Sequence, residues 1–294
     1  MKVFAMLAAV CLLTALPVTA HAAANVAPDT TGTAAYDLGA LKITAMQDTP
    51  GAMPLDIFTG APEAAMKKLA PEGTVPAGVT VFLIQANGKN ILVDTGNGPG
   101  KGALLSLLTK LGLTPNDIDA ILLTHMHGDH VGGLQENGNP VYTKAKVYVS
   151  TPELLYWTQN AAPGQERTAN MAKAVQKAYG ANLVSFELGA SVIPDITSVP
   201  LVGHTPGHTA FLVHSEKVAI LFWGDIVHGA AIQFPLPEVC AQYDMDVPKA
   251  VNARKSAMQL AADKKIPVAG AHLPFPAIGR VARDGEAFTY LPGL

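Results

Sequence analysis

The chain has 294 residues, is 49% hydrophobic and 15% charged, and carries a formal net charge of −3. That composition can bury a substantial core, and the sequence holds no Lys/Arg cluster of the kind nucleic-acid binding requires. Two cysteines, Cys11 and Cys240, are too few for a disulfide-stapled scaffold.

The N-terminus reads as a targeting segment. Lys2 supplies a short positive region, residues 3–16 are apolar, and residues 17–22 end in small residues at an A-x-A spacing. Residues 1–22 are therefore expected to be a cleaved signal peptide, which places the mature protein in the periplasm or the medium. The apolar stretch is too short for a stable span, and Cys11 lacks the neighbours of a lipid-attachment site, so no membrane anchor is expected. Cys240 remains as the only cysteine of the mature chain, and no intrachain disulfide can form. Residues 23–35, rich in Ala, Thr and Pro, are expected to be poorly ordered, and residues 36–294 to form one domain.

Residues 41–45 alternate like a strand. Residues 48–60 contain Pro50, Gly51, Pro54 and Gly60 and must be a loop; Met53, Leu55, Ile57 and Phe58 suit either a pocket wall or packing over the core. Residues 79–85 and 90–94, on either side of Asn87-Gly88, read as a hairpin that ends at Asp94. A helix over 104–111 stops at Gly112, and Thr114-Pro115 opens another helical turn. The apolar run 120–123 is a buried strand. It leads into Thr124-His125-Met126-His127-Gly128-Asp129-His130, with four candidate ligands in the pattern H-x-H-x-D-H. Histidine offers a neutral nitrogen and aspartate a hard oxygen, a mixture suited to zinc and similar divalent ions. Residues 131–134 would begin a helix, and 146–149 form a strand. Ser150-Thr151-Pro152-Glu153 fits a capping box, and 167–179 form a helix that stops at Gly180. Strands follow at 183–186, 196–201, 211–214 and 218–222, then a long loop over 229–247, a helix over 248–264 and a last strand over 268–271 that ends at His272. Strands in two groups, each followed by helices, suggest two α/β halves packed sheet on sheet with helices outside.

Three later strands also end in ligand-type residues: Gly203-His204-Thr205-Pro206-Gly207-His208, Trp223-Gly224-Asp225 and Gly270-Ala271-His272. Ligands that converge from separate strand ends are what a rigid catalytic site requires. This constellation resembles the metallo-β-lactamase superfamily. The resemblance implies an αββα sandwich, in which two mixed sheets pack face to face. It also implies two divalent ions, zinc first and Mn, Co or Fe as alternatives. By that pattern His125, His127 and His208 hold one ion, Asp129, His130 and His272 hold the other, and Asp225 bridges them beside a shared hydroxide. His204 then supports its loop. Asp94 and Thr124 either orient ligand histidines or cap turns. Asp129 would receive a proton late in the reaction, and His228 either faces the substrate or is a satisfied loop histidine.

Residues 224–234 and 271–279 look like the methyl parathion hydrolase group and its exported lactonase-like relatives. That implies a small-molecule substrate, with lactones and aryl esters preferred and phosphotriesters hydrolysed more weakly. A β-lactamase or thioesterase on the same fold, or a non-catalytic periplasmic metal-binding protein, are the alternatives. Trp157, Tyr243 and Phe275 are the leading pocket candidates, ahead of Phe58, Phe186 and Phe234. A homodimer is compatible with the low charge.

Overall fold

The computed structural model describes residues 32–294, so the expected signal peptide lies outside the described residues. Seven strands form the first sheet: β1 (Thr33–Leu38), β2 (Leu41–Thr49), β3 (Val79–Ala86), β4 (Lys89–Val93), β5 (Ala120–Leu122), β6 (Lys146–Ser150) and β7 (Leu183–Phe186). They lie side by side in that order, antiparallel through β4 and parallel from β4 to β7. Residues 187–190 lead to the second sheet. It consists of β8 (Ser191–Ile193), β9 (Ile196–Pro200), β10 (Thr209–Ser215), β11 (Val218–Phe222), β12 (Val268–Ala269), β13 (Ile278–Asp284) and β14 (Ala287–Pro292), again in sequence order. Only β11 and β12 are parallel there.

Strand β3 shows how the layers are specified. Phe82 and Ile84 enter the core between the sheets, where they meet Phe211, Ile220 and Phe222, while Val81 and Leu83 enter a second core under the outer helices. A strand covered on both faces is a continuous apolar run rather than an alternating one. Each such fully buried large side chain stabilises the fold by about 1.5–3 kcal/mol. Helix α1 (Leu104–Lys110) buries Leu104, Leu107 and Leu108 against the first sheet, a helical i, i+3, i+4 stripe. Helix α2 (Thr151–Leu155) starts at Ser150, whose hydroxyl accepts the Glu153 amide, and runs into a π-helical turn, Tyr156–Asn160. Helix α3 (Glu166–Tyr179) buries Ala169, Ala172, Val175 and Tyr179. On the second sheet, α4 (Val247–Lys264) is capped by Asp246 and packs Ala257, Met258 and Ala261 against that sheet. These layers form the αββα sandwich. The hairpin turn is Asn87-Gly88, both at positive φ, as a two-residue turn between twisted strands requires.

Two features differ from expectation, and a third settles an open alternative. β1 begins at Thr33, inside the stretch expected to be poorly ordered, because Ala34, Tyr36 and Leu38 alternate into the core while the backbone pairs with β2. The strand before His272 is only two residues long, and it is not the last: the β13–β14 hairpin follows and covers it. The loop 48–60 does both things its composition allowed. Leu55, Ile57 and Phe58 pack into a small core with Met66, Val75, Ile232 and Val239, while Met53 lines the main cavity. Its backbone pairs with Cys240–Ala241, so the two long loops hold one another.

Candidate metal centre

The parallel strands β4 and β5 end together, and the chain leaves β5 into Thr124–His130. Asp94, at the end of β4, accepts hydrogen bonds from the Thr124 amide and hydroxyl, both at 2.8 Å, which fixes the direction of that exit. Gly224 turns the chain after β11 with φ +57°. A Cβ there would lie 2.7 Å from His208 Nε2 and 2.8 Å from Thr124 Cβ, so only glycine fits.

Two groups of donor atoms result. His125 Nε2 lies 3.0 Å from His127 Nδ1, which lies 3.0 Å from His204 Nε2; Asp225 Oδ2 is 3.4 Å from the last. In the other group, Oδ2 of Asp129 lies 3.7 Å from His130 Nε2 and 3.4 Å from His272 Nε2. Asp225 faces both groups: besides the contact of Oδ2 with His204, Oδ2 lies 3.1 Å from His272 Nε2 and Oδ1 3.2 Å from His130 Nε2 in the second. The far nitrogens of four histidines are held by oxygen: His125 by the Thr124 hydroxyl at 3.1 Å, His130 by Asp94 at 2.8 Å, His204 by Asp244 at 2.9 Å and His272 by the Gly78 carbonyl at 2.7 Å. Such outer bonds fix ring orientation and tautomer, leaving the inner nitrogen directed at the centre.

The structure corrects one expected ligand. His204, not His208, joins His125, His127 and Asp225. His208 donates from Nδ1 to the Leu201 carbonyl at 3.1 Å and accepts the Asp225 amide on Nε2 at 3.0 Å, so both of its nitrogens serve the backbone. Burial lowers its pKa to about 3, which keeps it neutral in that role.

The cluster fits a divalent metal on its own chemistry. His130 Nε2 and Asp225 Oδ1 are buried 3.2 Å apart with no partner of hydrogen-bond geometry, a pair that a proton or a metal cation must complete. Burial drives His125 well below the ordinary imidazole range and His127 to about 3, so both present neutral nitrogens. His272 and His130 go the other way: although burial opposes it, the Asp225 and Asp129 carboxylates raise His272 to about 10, and with Asp94 they raise His130 well above its usual value. Asp225 is held well below the carboxylate range by His130 and His272 against the penalty of burial. In the metal-free state, protons on His130 and His272 thus balance the carboxylates.

The family model of the metallo-beta-lactamase superfamily matches residues 74–270, well over half of the chain. The chain belongs to the metallo-β-lactamase superfamily. Its αββα sandwich is the fold of that superfamily, and its His/Asp cluster is one that could hold divalent metal. The solved hydrolase AbOPH, of the beta lactamase superfamily, is 30% identical with a TM-score of 0.82, over 91% of this chain and 99% of that one. AidC, a dizinc quorum-quenching lactonase solved with the product N-hexanoyl-L-homoserine, has the same TM-score and coverage at 25% identity. Among curated relatives, the hydroxyacylglutathione hydrolase of Xanthomonas axonopodis pv. citri is 31% identical over 49% of this chain. The beta-lactamase-like protein 2 homolog of Caenorhabditis elegans is 29% identical over 52%. The matches span under half the length of these two relatives, 44% and 45%.

In this superfamily member the cluster forms the floor of a cavity of about 850 Å³, with Met53, Trp157, Met171, Tyr243 and Met245 among its walls. Trp157 and Tyr243 line this cavity, and His228 lines it as well. Its Nε2 is 3.3 Å from Asp225 Oδ2, its Nδ1 has no hydrogen-bond partner, and its ring stacks on His272 at 5.2 Å. Asp129, with a side chain 31% exposed, faces the same space. Phe58, Phe234, Phe275 and Phe186 do not line the cavity. Phe58 fills the small core beneath Gly229, Phe234 and Phe186 lie in the inter-sheet core, and Phe275 packs against that core.

Sequence reasoning missed Asp244 and Arg254. Arg254 is fully buried and donates to the Ile226 and Val239 carbonyls and, at 3.0 Å, to Asp244, whose other oxygen holds His204. Nothing local marks the pair, because its meaning comes from a fold-back of the 229–247 loop. Glu153 was assigned to a cap, yet its carboxylate turns inward to the His125–His127 segment.

Proposed function

We propose that this chain is an exported dinuclear hydrolase of lactones and aryl esters, with organophosphate triesters of the methyl parathion type as weaker substrates. Zinc is the metal that best suits the donors, and a small neutral molecule is the partner the site would take. The observation that carries this reading is Asp225, whose Oδ2 lies between the two donor groups, 3.4 Å from His204 Nε2 and 3.1 Å from His272 Nε2, while its Oδ1 lies 3.2 Å from His130 Nε2. Two divalent ions, when bound, would supply Lewis acidity to a carbonyl or phosphoryl oxygen and a hydroxide nucleophile at neutral pH. His125, His127, His204 and Asp225 would hold one, and Asp129, His130, His272 and Asp225 the other.

The chain's own groups do the rest. Met53, Trp157 and Met171 give the acyl or aryl part an apolar wall that excludes water. Tyr243, 46% exposed and 6.1 Å ring to ring from His228, can donate its phenol to a polar handle near the scissile bond. Neutral His228 offers Nδ1 to the substrate or leaving group, and the exposed edge of Asp129 can take the proton of the attacking group and pass it to the leaving oxygen. No side chain is required as nucleophile: Cys240 is buried beside Arg254, away from the cavity. A thioesterase is the second reading, favoured by the match to hydroxyacylglutathione hydrolase.

Steady-state kinetics of the zinc-loaded protein on dihydrocoumarin, an N-acyl-homoserine lactone, p-nitrophenyl acetate, an acyl thioester and methyl paraoxon test the ranking. We expect the lactone and aryl ester to lead in kcat/KM. A dominant paraoxon or thioester rate would reverse the order, and two bound metals with no turnover would make the protein a metal binder. Cleavage after residue 22 on expression, read by mass spectrometry, tests export.

A further inference from the structure

Glu153 is fully buried, and its carboxylate accepts four hydrogen bonds, two on each oxygen. Oε1 takes the Met126 amide at 2.9 Å and the Trp157 indole N–H at 2.7 Å. Oε2 takes the Thr205 hydroxyl at 2.7 Å and the Gly207 amide at 2.9 Å. Met126 sits between His125 and His127, and Thr205 follows His204. Trp157 lies in the π-helical turn, lines the cavity, and meets the His127 ring edge-on at a centroid distance of 5.7 Å. π-turns within helices recur at functional sites because they redirect side chains that a regular helix would place elsewhere. One carboxylate thus ties together two ligand-bearing loops, from opposite halves of the chain, and a wall of the cavity.

We propose that Glu153 is a positioning residue that couples the metal-facing loops to the cavity wall, so that metal uptake at His125, His127 and His204 is transmitted to Trp157. This rests on the reading that those histidines hold a metal. The chemistry requires an ionised acceptor, because a carboxylate offers lone pairs to four donors and brings none of its own. A carboxamide of the same shape must turn its NH₂ toward one pair. The Thr205 hydroxyl can rotate to accept, so the NH₂ of Glu153→Gln goes to that side and leaves the Gly207 N–H facing another N–H. The His204 loop then loses its tether while Met126 and Trp157 keep theirs.

The test uses the mature protein with ¹⁵N-labelled tryptophan. The sequence holds two tryptophans, Trp157 and Trp223, and the Trp157 indole resonance is the one lost in Trp157→Phe. Zinc titration is expected to shift that resonance in the wild type. In Glu153→Gln the shift should fall by at least about half, and zinc affinity, from chelator competition, should fall about 10–100-fold. Thr205→Val, which removes one bond and keeps the carboxylate, should give a smaller loss of the same kind. A folded Glu153→Gln protein with wild-type zinc affinity and an unaltered indole shift overturns the proposal. If Glu153→Gln does not fold, wild-type behaviour of Thr205→Val overturns it instead. Zinc that binds the wild type without moving the Trp157 resonance also overturns it and leaves the metal-site reading standing. A wild type that binds no zinc removes both.

Discussion

At the scale of single residues, the choice between His204 and His208 separates the roles of two histidines four positions apart. His204→Ala removes an inner nitrogen, and we expect it to lose one of two bound metals or weaken it by more than about 100-fold. His208→Ala removes two backbone hydrogen bonds and a buried ring. It should cost about 2–4 kcal/mol of stability while the folded fraction still binds two metals. Metal content by elemental analysis beside thermal unfolding distinguishes them, and the opposite pattern would restore His208 as the ligand. The proton balance gives a second expectation. His272 titrates near 10 without metal, so below that pH a proton must leave as metal binds. Zinc uptake should acidify a weakly buffered solution, and affinity should rise with pH across the neutral range. For the metal-free fold the sign is opposite: the raised His272 pKa contributes stability that is fully present below about 6.5 and lost as pH rises through about 10. Thermal midpoints of chelated protein at pH 6 and pH 9.5 check this.

Among elements, the turn that follows β11 sets the geometry of both donor groups, since Asp225 is its second residue. Gly224→Ala places a Cβ against His208 and Thr124 on a left-handed backbone. We expect a loss of about 1–3 kcal/mol and weaker metal binding, read by calorimetry and chelator competition. The H-x-H-x-D-H stretch was legible as ligands because a strand end dictates where every residue in it points. The G-H-T-P-G-H stretch was not, because β10 starts at Thr209: His208 sits at the strand mouth, where Leu201 and Asp225 capture it, and His204 rides the loop apex toward His127. The aromatic residues failed for a related reason. Phe234 and Phe275 are near ligands in sequence and Phe58 lies in an apolar loop, but the loop-on-loop core and the β13–β14 hairpin decide their directions. Glu153, Asp244 and Arg254 carry no local signature, since their partners come from distant segments.

For the molecule as a whole, the donors divide between its two sheets. His125, His127, Asp129 and His130 follow the first, and His204, Asp225 and His272 belong to the second. Metal that binds the folded chain at 1,000 times its dissociation constant adds about 4 kcal/mol to stability, so chelation should lower the unfolding midpoint markedly. The four residues 187–190 are the covalent link from one sheet to the next, and the sandwich core, not that link, holds the sheets together. Cut there, the protein becomes a two-chain assembly with each chain contributing part of the clasp. Co-expressed pieces ending and beginning at that link should reassemble, and the half-life of the reconstituted pair should be set by zinc.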